Sequence, residues 1–218
     1  MIEAIIFDMD GTLLDTLEDL TDAVNAGLAF GGYPARSLEE VRMFVGNGVR
    51  NLMLRAVPED TPESETDKCL RAFKEYYEQH GQDKTKPYEG IQELLTALRR
   101  DKIKTAVLSN KYDAAVLELC REYFPGNFDA ARGQREGVPL KPAPDSVFSI
   151  LEELETDNKC TIYVGDSDVD MKTAQNAKLT SVGVTWGFRS RNVLEEKGAN
   201  YIIDHPKELL NLVKRLNG

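Results

Sequence analysis

Short apolar, β-branched runs recur along this chain with helical patterns between them, and that alternation limits the fold more than any other feature of the sequence. The runs are Ala4–Phe7, Thr105–Leu108, Thr161–Val164, Ser181–Val184 and Tyr201–Ile203. A strand with one wet face alternates apolar and polar residues, whereas a strand covered on both faces reads as an unbroken apolar run. Runs of the second kind, separated by helices, are the mark of βαβ units. Helices are expected near residues 90–101, 112–123, 144–154, 168–177, 190–197 and 206–216. The last opens on Pro206, whose missing N–H is harmless in a first turn. Residues 125–140 read mainly as loop, with a short strand near Phe128–Ala131. The expected fold is α/β: a Rossmann-like parallel sheet with helices on both faces.

Residues 16 to about 80 break the alternation. They carry helical periodicity and no strand, and Cys69, Leu70, Phe73, Tyr76, Tyr77 and His80 recur at the spacing of one helix face. An α-helical insert therefore interrupts the α/β domain after its first strand. The expected division is a catalytic core of 1–15 and 82–218 and a small helical domain of 16–81, with connectors near Leu13–Thr16 and Gly81–Pro87.

The 218 residues are 41% hydrophobic and 29% charged, which provides apolar material for a sizeable core. The formal net charge of -10 argues against nucleic acid and anionic membrane as partners, since clustered Lys and Arg grip both. Any anion site must then be locally positive, through a metal, a few basic side chains or backbone N–H groups. Cys69, Cys120 and Cys160 have neither paired nor metal-type spacing and are expected as reduced thiols. Met1–Asp8 is too short and too soon acidic for a signal peptide. No apolar stretch approaches the ~20 residues of a membrane span. A soluble, cytoplasmic protein is expected, and neither a monomer nor a homodimer is favoured by any heptad or apolar patch.

Asp8-Met9-Asp10-Gly11-Thr12 follows the first apolar run without a gap. In open α/β sheets ligands bind beyond the carboxyl ends of the strands. Residues i and i+2 of an extended segment face the same way, so Asp8 and Asp10 aim into one small volume. Two such carboxylates repel unless a cation lies between them or one is protonated; one can then serve as nucleophile and the other as proton donor. Gly11 lets the backbone turn sharply. A strand-ending acidic turn would use the same residues, and Ser109-Asn110 after the second run and Lys141 before Pro142 are equally open to ordinary readings as a helix cap and a solvated loop lysine. Their chemical reading is that Ser109 and Asn110 hold a phosphate oxygen while Lys141 supplies a fixed positive charge. Acids crowding two separate strand ends tip the balance. Asp166, Asp168 and Asp170 follow Val164 and Gly165. Asp166 and Asp170 are expected in the shell of a Mg²⁺ ion, which takes hard oxygen ligands and keeps several waters, and Asp168 is expected at the surface.

Taken in order, Asp8-x-Asp10-Gly11-Thr12, Ser109-Asn110, Lys141-Pro142-x-Pro144 and Gly165-Asp166-x-x-x-Asp170 resemble the four motifs of the haloacid-dehalogenase-like hydrolases, over nearly the whole chain. The helical insert resembles that family's small cap domain. The resemblance implies a Mg²⁺-dependent phosphatase acting on a small-molecule phosphate ester. It makes Asp8 the nucleophile that becomes phosphorylated and Asp10 the acid, then the base. It places Mg²⁺ on the Asp8 carboxylate, the Asp10 carbonyl and Asp166, with Asp170 in support. Ser109 and Lys141 bind the phosphoryl group, and Thr12 orients the Asp10 region. Asp10-Gly11-Thr12-Leu13-Leu14-Asp15-Thr16, Phe44-Val45-Gly46-Asn47-Gly48-Val49 and Val184-Thr185-Trp186-Gly187-Phe188 resemble the phosphoglycolate phosphatase group, which makes 2-phosphoglycolate the leading substrate and Gly46 and Asn47 candidates for reading it. Arg50 and Arg189 are further candidates for a substrate anion, while His80 and His205 read as structural. A sugar-phosphate mutase or a pyrophosphatase of the same superfamily is the alternative, and a non-catalytic binding module a third reading. The acid at Asp10 argues against carbon–halogen and carbon–phosphorus cleavage, which need no alkoxide protonated.

Overall fold

The computed structural model describes all 218 residues. They form two compact units, one of Met1–Leu14 with Pro87–Gly218 and one of Asp15–Lys86. No helix is long and apolar enough to cross a membrane.

The first unit is a parallel six-stranded sheet of β1 (Ala4–Phe7), β4 (Lys104–Tyr112), β5 (Ala130–Gln134), β6 (Thr161–Gly165), β7 (Thr180–Val184) and β8 (Tyr201–Ile203), in the order β5-β4-β1-β6-β7-β8. Its helices are α5 (Ile91–Arg100), α6 (Asp113–Tyr123), α7 (Asp145–Glu153), α8 (Asp168–Ala177), α9 (Arg191–Glu196) and α10 (Pro206–Asn217). Period-two alternation within the apolar runs divides them between two cores. Ile5, Phe7, Val107, Ile162, Val164, Val182 and Val184 pack with α5, α6 and α10 through Leu94, Leu98, Val116, Leu209 and Leu212. Ala4, Ile6, Ala106, Leu108 and Tyr163 pack with α7 and α8 through Val147, Ile150, Ala174 and Ala177. Both faces are dry, which is why the strands show no polar alternation. The strand order reverses at β1: the chain runs outward through β4 and β5, then returns to β6 on the other side. The crevice beyond the carboxyl end of β1 is thus the ligand position for this topology.

The second unit holds α1 (Leu17–Phe30), α2 (Leu38–Phe44), α3 (Val49–Ala56) and α4 (Glu63–His80). Leu20, Val24 and Leu28 of α1 are buried, with Thr66, Cys69, Leu70 and Phe73 of α4. Gly27 permits close approach, because a Cβ there would stand 2.6 Å from the Cys69 carbonyl oxygen. The apolar face of α4 fades toward its end: Tyr76 and Tyr77 are half-buried, and His80 is exposed beside Asp83. Two-residue strands, β2 (Leu14–Asp15) and β3 (Lys86–Pro87), pair where the chain leaves and re-enters the sheet unit.

The return boundary lies at Lys86/Pro87, several residues beyond the expected 81/82. Asp19 of α1 accounts for the difference. Its buried carboxylate accepts from the backbone N–H of Lys84 at 3.1 Å and of Thr85 at 2.8 Å, and from the Thr85 hydroxyl at 2.7 Å, tying that segment to the helical unit. Asp19→Ala should destabilise this unit by about 2–3 kcal/mol, since it strands buried donors; urea unfolding with no change in midpoint would refute the clamp.

Candidate active site

The turn after β1 is built tightly. Asp8 N–H donates to the Val164 carbonyl at 2.9 Å, and the Met9 carbonyl accepts from Thr12, Leu13 and Leu14. Gly11 has φ +85°, and a Cβ there would stand 2.3 Å from Asp166 Oδ2, so only glycine fits. Thr12 is fully buried. Its hydroxyl faces Asp166 Oδ1 at 3.5 Å, and its carbonyl accepts from Trp186 Nε1 at 3.0 Å. Thr12 therefore ties the turn to the neighbouring loops.

β6 ends on the other acids. Ser167 and Asp170 form a reciprocal capping box on α8, with Ser167 Oγ 2.6 Å from Asp170 Oδ2. Asp170 Oδ1 accepts from Lys141 Nζ at 2.8 Å and from the Tyr163 hydroxyl at 3.3 Å. Both oxygens of Asp170 are thus engaged by protein donors, which suits a supporting position. Asp166 Oδ2 accepts from Phe188 N–H at 2.6 Å, and Gly187 leaves no space for a Cβ beside the Asp166 side chain. Carboxylate oxygens of Asp8, Asp166 and Asp170 lie within 4.8 Å of one another.

Two buried lysines face these acids. Lys141 Nζ lies 2.7 Å from Asp8 Oδ1 and 2.8 Å from Asp170 Oδ1. Its position is fixed through its backbone: Lys141 N–H donates to Asn110 Oδ1 at 2.8 Å, and Asn110 Nδ2 donates to the Lys141 carbonyl at 3.1 Å. Asn110 thus spends its carboxamide on the Lys141 loop. Ser109 is buried at the same strand end. Lys111, which sequence reasoning passed over, lies 3.0 Å from Asp10 Oδ1. Its only sequence signal is its place directly after Ser109-Asn110.

Burial, then repulsion from Asp170, holds the Asp8 carboxyl well above the usual carboxylate range against the pull of Lys141. Burial and Asp170 likewise push Asp166 up to about 7. Burial opposes charge on Lys141, yet Asp170 and Asp8 outweigh it and hold the ammonium well above the usual lysine range. An all-oxygen donor set under this repulsion fits a hard divalent cation, which would favour the ionised acids. Folding raises both acids, so the folded protein binds their protons more tightly than the unfolded chain does. The contribution of Asp166 is present at low pH and lost as pH rises from about 4 toward about 7. The Tm of metal-free protein, taken relative to Asp166→Asn, should fall across that window; a flat difference would contradict the repulsion.

The remaining candidates are placed as follows. Gly46 and Asn47 lie in the α2–α3 loop of the helical unit, where Gly46 has φ +125° and the Asn47 carbonyl accepts from Asn51 Nδ2. Arg50 is paired with Glu63 and Asp67 within that unit. Arg189 is nearly buried, with Nε 3.6 Å from Asp168 Oδ1, and Asp168 itself is partly exposed. His205 caps α10, accepting from Lys207 N–H at 3.1 Å.

A parallel sheet whose switch point gathers an acidic cluster and buried lysines defines an open α/β protein with a charged site at the carboxyl edge of its strands, and sequence comparison identifies the family. The model of the haloacid dehalogenase-like hydrolase family matches residues 5–184. The phosphoglycolate phosphatase of Vibrio parahaemolyticus is 31% identical over 219 residues, covering 97% of this chain and 96% of its own. Phosphoglycolate phosphatase 1 of Pseudomonas aeruginosa is 30% identical over 213 residues, covering 94% and 78%. The crystal structure of a candidate phosphoglycolate phosphatase from Lactobacillus delbrueckii subsp. bulgaricus superposes with a TM-score of 0.92 at 38% identity, covering 95% of this chain and 96% of that one. The chain belongs to the haloacid dehalogenase-like hydrolase family, and within it to the phosphoglycolate phosphatase-like group of phosphatases.

Proposed function

We propose that this enzyme is a Mg²⁺-dependent phosphatase that passes the phosphoryl group of a small monoester first to Asp8 and then to water, with 2-phosphoglycolate as its favoured substrate. The observation that carries the reading is the buried Lys141 ammonium bridging Asp8 and Asp170, with Asp166 in the same acidic cluster. Phosphoryl transfer needs positioning and charge stabilisation above all, and this cluster supplies both. The relatives' names support the choice of substrate.

In the proposed reaction an Asp8 oxygen attacks phosphorus while the bond to the leaving oxygen breaks, and Asp10 gives that oxygen a proton. Water then attacks the aspartyl phosphate and Asp10 takes its proton, which releases inorganic phosphate and restores both acids. Lys141 and Ser109 hold phosphoryl oxygens, and Thr12 and Asn110 keep the turn and the lysine in place. When bound by Asp8, Asp166 and the Asp10 carbonyl, with Asp170 behind them, Mg²⁺ supplies charge that offsets the carboxylates and the phosphate dianion. Gly46 and Asn47 are the proposed readers of the rest of the substrate, on the strength of their loop's backbone freedom.

The test is phosphate release from a panel of 2-phosphoglycolate, pyrophosphate and sugar phosphates, with and without EDTA. The highest kcat/KM is expected for 2-phosphoglycolate, and chelation should stop turnover reversibly. Full rate in EDTA would remove the metal. Isomerisation of a sugar 1-phosphate without free phosphate would replace the phosphatase by a mutase.

A further inference from the structure

Lys111 is a buried charge that the reaction above does not use. Its side chain is 5% exposed and that of Asp10 is 14% exposed. Lysine is almost never buried without a specific partner or purpose. The backbone accounts for its placement. Ser109, Asn110 and Lys111 are all buried at the carboxyl end of β4. The pairing of β4 with β5 shifts register between Leu108 and Tyr112, and irregularities of this kind re-aim side chains beside active sites. Lys111 N–H donates to Ser109 Oγ at 3.1 Å. On the other side Gly133 of β5 passes so close that a Cβ there would stand 2.6 Å from the Lys111 carbonyl oxygen. The backbone that carries the ammonium is therefore hydrogen-bonded to Ser109 and closely packed against Gly133.

Asp10 marks where the leaving oxygen must sit, because on the reading above it delivers a proton to that oxygen; the present inference rests on that reading. Whatever the leaving oxygen carries begins beside Asp10, and so within reach of the Lys111 ammonium. We propose that Lys111 is a specificity-determining residue that binds a carboxylate on the carbon next to the leaving oxygen, so that the enzyme selects phosphate monoesters of 2-hydroxy acids over those of neutral alcohols. The oxygens of such a carboxylate lie three bonds from the ester oxygen and meet the ammonium without a linker. It would share the ammonium with the Asp10 carboxyl group, which lies 3.0 Å away. A neutral substituent at that point leaves the pair as it stands and gains nothing from the charge. Charge balance points the same way. Asp8, Asp10 and Asp170 already pair with Lys111 and Lys141, and Asp166 lies in the same cluster as Asp8 and Asp170. A further substrate anion among them needs a cation on the leaving-group side, and Lys111 stands there.

The test compares kcat/KM for 2-phosphoglycolate with that for its neutral amide, in wild type, Lys111→Gln and Lys111→Arg. The acid-to-amide ratio should be about 30-fold or more in wild type, the scale of one charge-assisted hydrogen bond. It should collapse toward unity in Lys111→Gln and recover in part in Lys111→Arg. Equal losses on both substrates, with the ratio kept, would overturn the assignment and leave Lys111 a positioning residue for Asp10. Should Lys111→Gln fail to fold, the wild-type ratio decides, and a value near unity overturns the assignment. A wild type that hydrolyses both esters equally fails this assignment alone; one that hydrolyses neither fails the phosphatase reading and takes the assignment with it.

Discussion

Asp8→Asn is expected to lower kcat by about 10⁴-fold or more, the scale on which removal of a covalent nucleophile acts. An amide oxygen can still accept from Lys141, but it does not attack phosphorus. The fold should survive and the metal-free protein should gain stability at neutral pH. Burial and the neighbouring Asp170 make ionised Asp8 unfavourable in the folded state, and the amide removes that charge. The two readouts are phosphate release and Tm. Retained turnover would rule out Asp8 as nucleophile, and collapse of the fold would show that its charge holds the site together.

Lys141→Met should act on both readouts in the harmful direction. Turnover should drop by about 10²–10³-fold, as for loss of one preorganised charge at a developing anion. The metal-free protein should lose about 3–5 kcal/mol, because Asp8 and Asp170 are left buried without their shared cation. Lys141→Arg should not restore turnover. The Lys141 backbone is pinned by Asn110, so a longer, planar guanidinium cannot retreat to present one nitrogen to both carboxylates. Full activity in the arginine variant would mean that charge alone, without placement, suffices.

The strands and the motif acids were legible because their causes are local. Burial on both faces writes itself into unbroken apolar runs, and a carboxylate at a strand end is visible in the letters. What was not legible depends on distance. Asp19 and Lys84 are 65 positions apart, so the bonds that shift the return boundary leave no local trace. Residue type shows that Thr12 and Asn110 can bind phosphate; it does not show that Asp166, Trp186 and Lys141 engage them within the protein. Lys111 was hidden by the register shift at the end of β4, since a lysine beyond a strand reads as solvated unless the backbone irregularity is seen. The Ser167–Asp170 capping box, by contrast, was present in the sequence as a hydroxyl and an acid three positions apart. It explains why Asp170 is anchored to its own helix rather than projecting as Asp166 does.

The proposed mechanism stands or falls on a covalent phosphate on Asp8, just beyond the end of β1. The direct measurement mixes Asp10→Asn with a radiolabelled aryl phosphate and Mg²⁺, quenches in acid and maps the label. An aryl leaving group needs no proton, so the intermediate should form, and loss of the base should slow its hydrolysis. The label is expected on the peptide carrying Asp8 and should vanish when Asp8 is also replaced by Asn. Substrate consumed with no label on the protein, or a label on any other residue, would contradict the mechanism.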